Sequence, residues 1–140
     1  MLGLNFTPPR SSKSKIMPTA DTKKVLAVLD DLFFTVKINE AAKRAGLSAT
    51  FVKSQRDALD QAAAGAALII LDLNFTGIQP VDLIQKFKAD PNLQKINLVG
   101  YVSHVQGELK QEAQEAGCDM VLARSAFSQS LQQIMKRHAN

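Results

Sequence analysis

Residues 68–75 read LIILDLNF. Four apolar residues run into Asp72, and apolar residues resume after it. A short continuous apolar run bounded by turn residues marks a strand covered on both faces. A carboxylate closing such a strand is costly unless that end of the strand is used for something. Three more runs have the same character: Val25–Leu29 in KVLAVLDD, Ile96–Val102, and MVLA at 120–123. A fifth, LSATFVKS, is shorter and half polar, as expected of a strand near a sheet edge.

Helical patterns separate these runs. Phe34, Ile38, Ala41, Ala42 and Ala45 form one stripe, stopped at Gly46. Gln55 to Ala64 is helical up to Gly65. A loop, NFTGIQP, leads to a helix from about Val81 to Ala89, ending before Pro91. Residues 108–116 place Leu109, Ala113 and Ala116 on one face before Gly117. The last helix carries Phe127, Leu131, Ile134, Met135 and His138, with Ser125 or Ser128 as its N-cap. Five strands alternating with five helices predict an α/β fold: a doubly wound, five-stranded parallel sheet with helices on both faces. In such sheets, sites form beyond the carboxyl ends of the strands.

Composition narrows the function. The chain has 140 residues, 46% hydrophobic and 21% charged, which suits one globular domain. No run is long and apolar enough to span a membrane. The start, MLGLNFTPPRSSKSKIMPTA, lacks a secretory pattern, so a cytoplasmic location is expected. Cys118 is the single cysteine and reads as a small packing residue. The formal net charge of +4 resides in residues 1–24, and the other 116 residues balance 12 basic against 12 acidic groups. Residues 1–22 therefore read as a flexible basic arm, and 23–140 as the folded domain. Met17 is an alternative start. The arm is expected to be a solvated tail, with nucleic-acid binding as the weaker reading because no aromatic residues stand among its lysines.

The strand ends carry the chemistry. The first ends in Asp30 and Asp31, the third in Asp72, the fourth in Ser103 and His104, and the fifth in Arg124. Acids of this kind suit a hard divalent ion such as Mg2+. A carboxylate beside such an ion can attack phosphorus, while a hydroxyl and a cation hold the phosphoryl oxygens. Bland readings stand beside these. Asp30 and Asp31 also suit the cap of the first helix, Ser103 suits a turn, and His104 flanks the mouth of the pocket without forming a triad. No glycine-rich phosphate loop follows the first strand.

In order and separation, VLAVLDD, LIILDLNFTG, LVGYVSH and AGCDMVLARS resemble the receiver domain of two-component response regulators, from residue 23 to about 138. The resemblance implies a flavodoxin-like sheet in the order 2-1-3-4-5. It implies phosphoryl acceptance at Asp72 from a histidine kinase, with Mg2+ on Asp30, Asp72 and the Asn74 main-chain carbonyl. Ser103 takes the hydroxyl position. The face made by the fourth helix, fifth strand and fifth helix becomes the expected partner or homodimer surface.

Several positions depart from the pattern. Leu29 stands where the first acid belongs, with Asp31 as a displaced substitute. Arg124 replaces the lysine, Ser125 the following proline, and Val121 the aromatic residue of the fifth strand. Arginine is a planar, permanently charged fork that suits a bidentate grip on Asp72. Two readings follow. One is an atypical, stand-alone receiver acting through protein–protein contact, with Arg124 paired to Asp72 and Mg2+ held weakly or not at all. The other is a working phosphoacceptor.

Overall fold

The computed structural model describes residues 22–103 and 106–139. The basic arm up to Asp21, the alternative start at Met17, and His104 lie outside the described residues. Ten elements alternate along the described residues. They are β1 (Lys24–Val28), α1 (Leu32–Arg44), β2 (Ser48–Val52), α2 (Gln55–Ala63) and β3 (Leu68–Asp72). There follow α3 (Pro80–Ala89), β4 (Asn97–Val102), α4 (Gly107–Ala116), β5 (Met120–Ala123) and α5 (Arg124–Ala139). All strand pairs are parallel. The sheet runs β2-β1-β3-β4-β5, the order 2-1-3-4-5 expected from the resemblance.

Local chemistry accounts for the element ends. Asp31 caps α1 by accepting from the Phe33 and Phe34 N–H groups, and Ser54 caps α2 through the Asp57 N–H. Pro80 starts α3, where its missing N–H costs nothing. Gly117 closes α4 at φ 112°, a conformation open to glycine and strained for other residues. The expected cap at Ser125 or Ser128 is not what begins α5. The helix starts at Arg124, directly from the last residue of β5, and both serines lie inside it. Ser128 Oγ instead accepts from Lys37 Nζ of α1 at 2.8 Å. No peptide is cis among the described residues.

Alternation along the strands divides the core in two. On one side Leu26, Ile69, Leu71, Leu98 and Val102 pack against Leu83, Ile84 and Phe87 of α3 and Ala113 of α4. On the other, Val25, Leu68, Ile70, Val99 and Tyr101 pack against Phe34 and Ile38 of α1 and Phe127, Leu131 and Met135 of α5. Three aromatic rings bind this second layer. Tyr101 stacks on Phe127 with centroids 4.7 Å apart, and Phe34 tilts against both at 4.7 and 5.5 Å. Phe127 is fully buried in this contact. Phe127→Ala is expected to cost about 3–5 kcal/mol, the usual loss for a buried aromatic, measured as a fall in the urea midpoint at unchanged slope.

Candidate functional site at the carboxyl edge of the sheet

The strand register sets which ends meet. Leu71 lies opposite Val28 of β1 and Gly100 of β4, and Asp72 lies opposite Tyr101. Val102 lies opposite Ala123. The residues just past these partners, Asp30 and Asp31, Ser103 and Arg124, therefore gather at the edge where β3 presents Asp72. Asp72 continues the alternation of Leu68 and Ile70, so it faces the α1–α5 side, as Tyr101 does.

Asp72 is the buried charged side chain among the described residues, 7% exposed. Its Oδ1 accepts from the Asn74 N–H at 2.9 Å. The Asn74 side chain in turn accepts from the Ser103 N–H at 2.8 Å. This chain of bonds clamps the loop after β3 to the end of β4. Asp72, Asn74 and Ser103 are thus brought together, through the Asn74 N–H and side-chain oxygen rather than its main-chain carbonyl.

Arg124 does not pair with Asp72, which corrects the expected grip. Its Nη2 donates to Asp31 Oδ2 at 2.7 Å. The guanidinium lies over the Phe34 ring, 4.9 Å from its centroid, and within 5.5 Å of that of Tyr101. The physical reason lies in access. Asp72 is buried with one oxygen already bonded, whereas the Asp31 side chain is 23% exposed on the loop after β1. The cation reaches Asp31 while its own side chain stays 40% exposed, so little of its hydration is lost. Asp31 is therefore both helix cap and ion-pair partner. Asp30 is turned elsewhere. It meets Lys53 Nζ, just past β2, at 3.0 Å, and both side chains are more than half exposed.

The charges act on one another. Burial pushes the Asp72 carboxyl above the usual carboxylate range, against the pull of the Asn74 N–H and the Arg124 charge. The nearby Asp31 carboxylate pushes it further in the same direction. Burial also acts upward on Asp31, but hydrogen bonds from Arg124, Phe34 and Phe33 outweigh it and hold Asp31 below the usual range. Burial, then the charges of Asp72 and Asp31, push the Tyr101 phenol well above its ordinary value.

Tyr101 is the residue that sequence reading missed. It is fully buried, and its hydroxyl is the buried side-chain polar atom left without a hydrogen-bond partner among the described residues. The signal was present: LVGYV is an apolar run interrupted by one polar group, in a chain with a single tyrosine. The run's apolar character hid it.

The fold is that of response-regulator receiver domains of known structure. A response regulator from Hahella chejuensis superposes with a TM-score of 0.74 at 21% identity, covering 84% of this chain and 95% of that one. The chemotaxis response regulator of Vibrio cholerae superposes at 0.71 with 20% identity, over 84% and 98%. The receiver domain of a sensor histidine kinase from Pseudomonas aeruginosa, which has a magnesium ion coordinated in its active site cleft, superposes at 0.72 with 18% identity, over 84% and 98%. No family model and no curated protein matches the sequence. No helix among the described residues is long and apolar enough to cross a membrane.

Two outcomes follow from the geometry. Arg124→Met is expected to cost about 1 kcal/mol, roughly 4 °C in Tm, a value kept low because the pair is partly exposed. Its effect should be non-additive with Asp31→Asn in a thermal double-mutant cycle.

The second outcome concerns pH. With its pKa raised in the fold, Asp72 keeps its proton where the unfolded chain has lost it, so its contribution falls as pH rises through that window. Asp31 has the opposite sign: its contribution is present above the usual carboxylate range and is lost as pH falls through its lowered pKa. Asp72→Asn should therefore raise Tm at neutral pH, and the gain should vanish in acid below the usual carboxylate range. A gain that persists undiminished there would show that the ionisation of Asp72 is not its source.

Proposed function

We propose that this chain is an atypical receiver-like signalling protein that works through contact with another protein, its acidic site held by an internal cation rather than by a divalent ion. The Arg124–Asp31 ion pair carries this reading. A divalent ion such as Mg2+ takes several oxygen ligands at short range. Here Asp31 is committed to Arg124 and to the first turn of α1. Asp30 points to Lys53. No three acidic, histidine or cysteine side chains form a metal-sized cluster among the described residues. The donors as arranged fit Mg2+ poorly, and Arg124 supplies positive charge close to where a metal would have supplied it.

The surface supports a contact role. Leu32, Phe33 and Val36, in the first turns of α1 beside the site, are 78%, 61% and 50% exposed. Lys37 covers one side of the Phe33 ring at 5.3 Å. Large apolar side chains grouped on a surface helix commonly mark protein contacts. The face made by α4, β5 and α5 remains the counterpart implied by the family resemblance, for a partner or a second copy of this chain.

One observation favours the alternative, a phosphorylatable regulator served by a histidine kinase. Among the described residues no salt bridge neutralises Asp72, since Arg124 is bound to Asp31. In that reading Asp72 is the phosphoacceptor, with Ser103 and Arg124 holding the phosphoryl oxygens.

Intact mass after incubation with Mg2+ and acetyl phosphate separates the two. We expect no phosphate adduct on the wild-type chain. An adduct that Asp72→Asn abolishes would overturn the proposal in favour of the working switch.

A further inference from the structure

The Tyr101 hydroxyl is the unexplained group at this edge of the sheet. A fully buried hydroxyl without a partner is costly, and native structures rarely leave one unless it serves a purpose. The ring is fixed by its stack on Phe127 and its contact with Phe34. Its backbone is fixed as well: Asp72 and Tyr101 are register partners, and the Leu73 N–H donates to the Tyr101 carbonyl at 3.0 Å. Side chains of register partners in a parallel pair share a face, so the hydroxyl and the carboxylate lie on the same side of the sheet. They also feel each other: the Asp72 charge and a side-chain interaction with Asp72 both oppose ionisation of the phenol, and the phenol in turn pulls the Asp72 carboxyl downward, with the contact just outside strict hydrogen-bond geometry. The Asn74 N–H occupies Asp72 Oδ1, so Oδ2 is the carboxylate oxygen open to a further donor.

We propose that Tyr101 is the positioning residue of Asp72: its hydroxyl donates to Asp72 Oδ2 and couples the state of that carboxylate to the aromatic stack joining α1 to α5. The carboxylate is then held by two donors, the Asn74 amide on one oxygen and the phenol on the other. Loss of its charge, by any chemistry at Asp72, weakens the phenol's bond. The stack feels that change because the same ring touches both Phe34 and Phe127, and Arg124 rests over Phe34 and Tyr101. The inference stands whether or not Asp72 takes a phosphoryl group.

The chain provides its own probe, because it has one tyrosine and no tryptophan. Tyrosine emission therefore comes from Tyr101 alone, and a phenol that donates to a carboxylate is quenched. Emission per chain should rise in Asp72→Ala relative to wild type. Thermal melts of wild type, Tyr101→Phe, Asp72→Ala and the double variant give a coupling cycle in which phenylalanine preserves the stack. Tyr101→Phe should lower Tm in the wild-type background, and should leave it unchanged or raise it when Asp72 is alanine. Equal Tm shifts in both backgrounds, or emission unaffected by Asp72→Ala, would overturn the assignment.

Discussion

The carboxyl edge of this sheet is organised by one ion pair. Arg124 enters from the junction of β5 and α5, and Asp31 from the junction of β1 and α1. Neighbouring strands lie about 4.8 Å apart, so the two junctions are separated by roughly 14 Å of sheet. The contact forms because both side chains reach toward each other from the helix starts, the long arginine stem carrying its head across aromatic faces. The bond ties the start of the first helix to the start of the last. Those two helices also share the Phe34–Phe127 contact and the Lys37–Ser128 hydrogen bond. Cation, rings and hydroxyl fasten the same layer of the molecule at successive depths.

That fastening alters what the buried acid experiences. With Asp31 neutralised by Arg124 and Asp30 facing Lys53, Asp72 is left as a carboxylate in a poorly hydrated place, held by a main-chain amide. Burial rather than a neighbouring charge is the largest influence on its ionisation. A chain can keep the shape of a receiver under these conditions, because the fold is secured by two apolar layers and by parallel strand pairing. Neither layer depends on the charges at the edge. The structural likeness to receivers at about 20% identity is a likeness of that scaffold.

Several features were legible in the residues alone. The continuous runs at Val25–Leu29, Leu68–Leu71 and Ile96–Val102 could be buried on both faces only within a covered parallel sheet, and the half-polar LSATFV belonged at its edge, where β2 is found. Gly46, Gly65 and Gly117 marked helix ends, and each has a positive φ. The family resemblance implied the strand order. The positions of Asp72 and Ser103 at strand ends followed from the runs, whereas the inclusion of Asn74 came from the family resemblance. The one element end that was misread, the start of α5, turned on a strand passing into a helix without a loop. Serine is a good cap by local preference, and local preference yielded there to the sheet's geometry.

What only the tertiary structure decided is the choice of partners among charges. The sequence supplies Asp30, Asp31, Asp72, Lys53 and Arg124, and any opposite pair of them is chemically reasonable. Which pair forms depends on how deeply each group lies and on where a side chain emerges relative to strands far away in sequence. Arg124 and Asp31 are 93 residues apart and meet because β5 and β1 flank β3 and β4 in the sheet. The same holds for Tyr101. Its place in an apolar run predicted burial, but only the register with Asp72 set its hydroxyl beside a carboxylate. Periodicity is a local property of the chain and fixes which residues turn inward. Desolvation and reach are properties of the assembled fold, and they settle which of those residues act on one another.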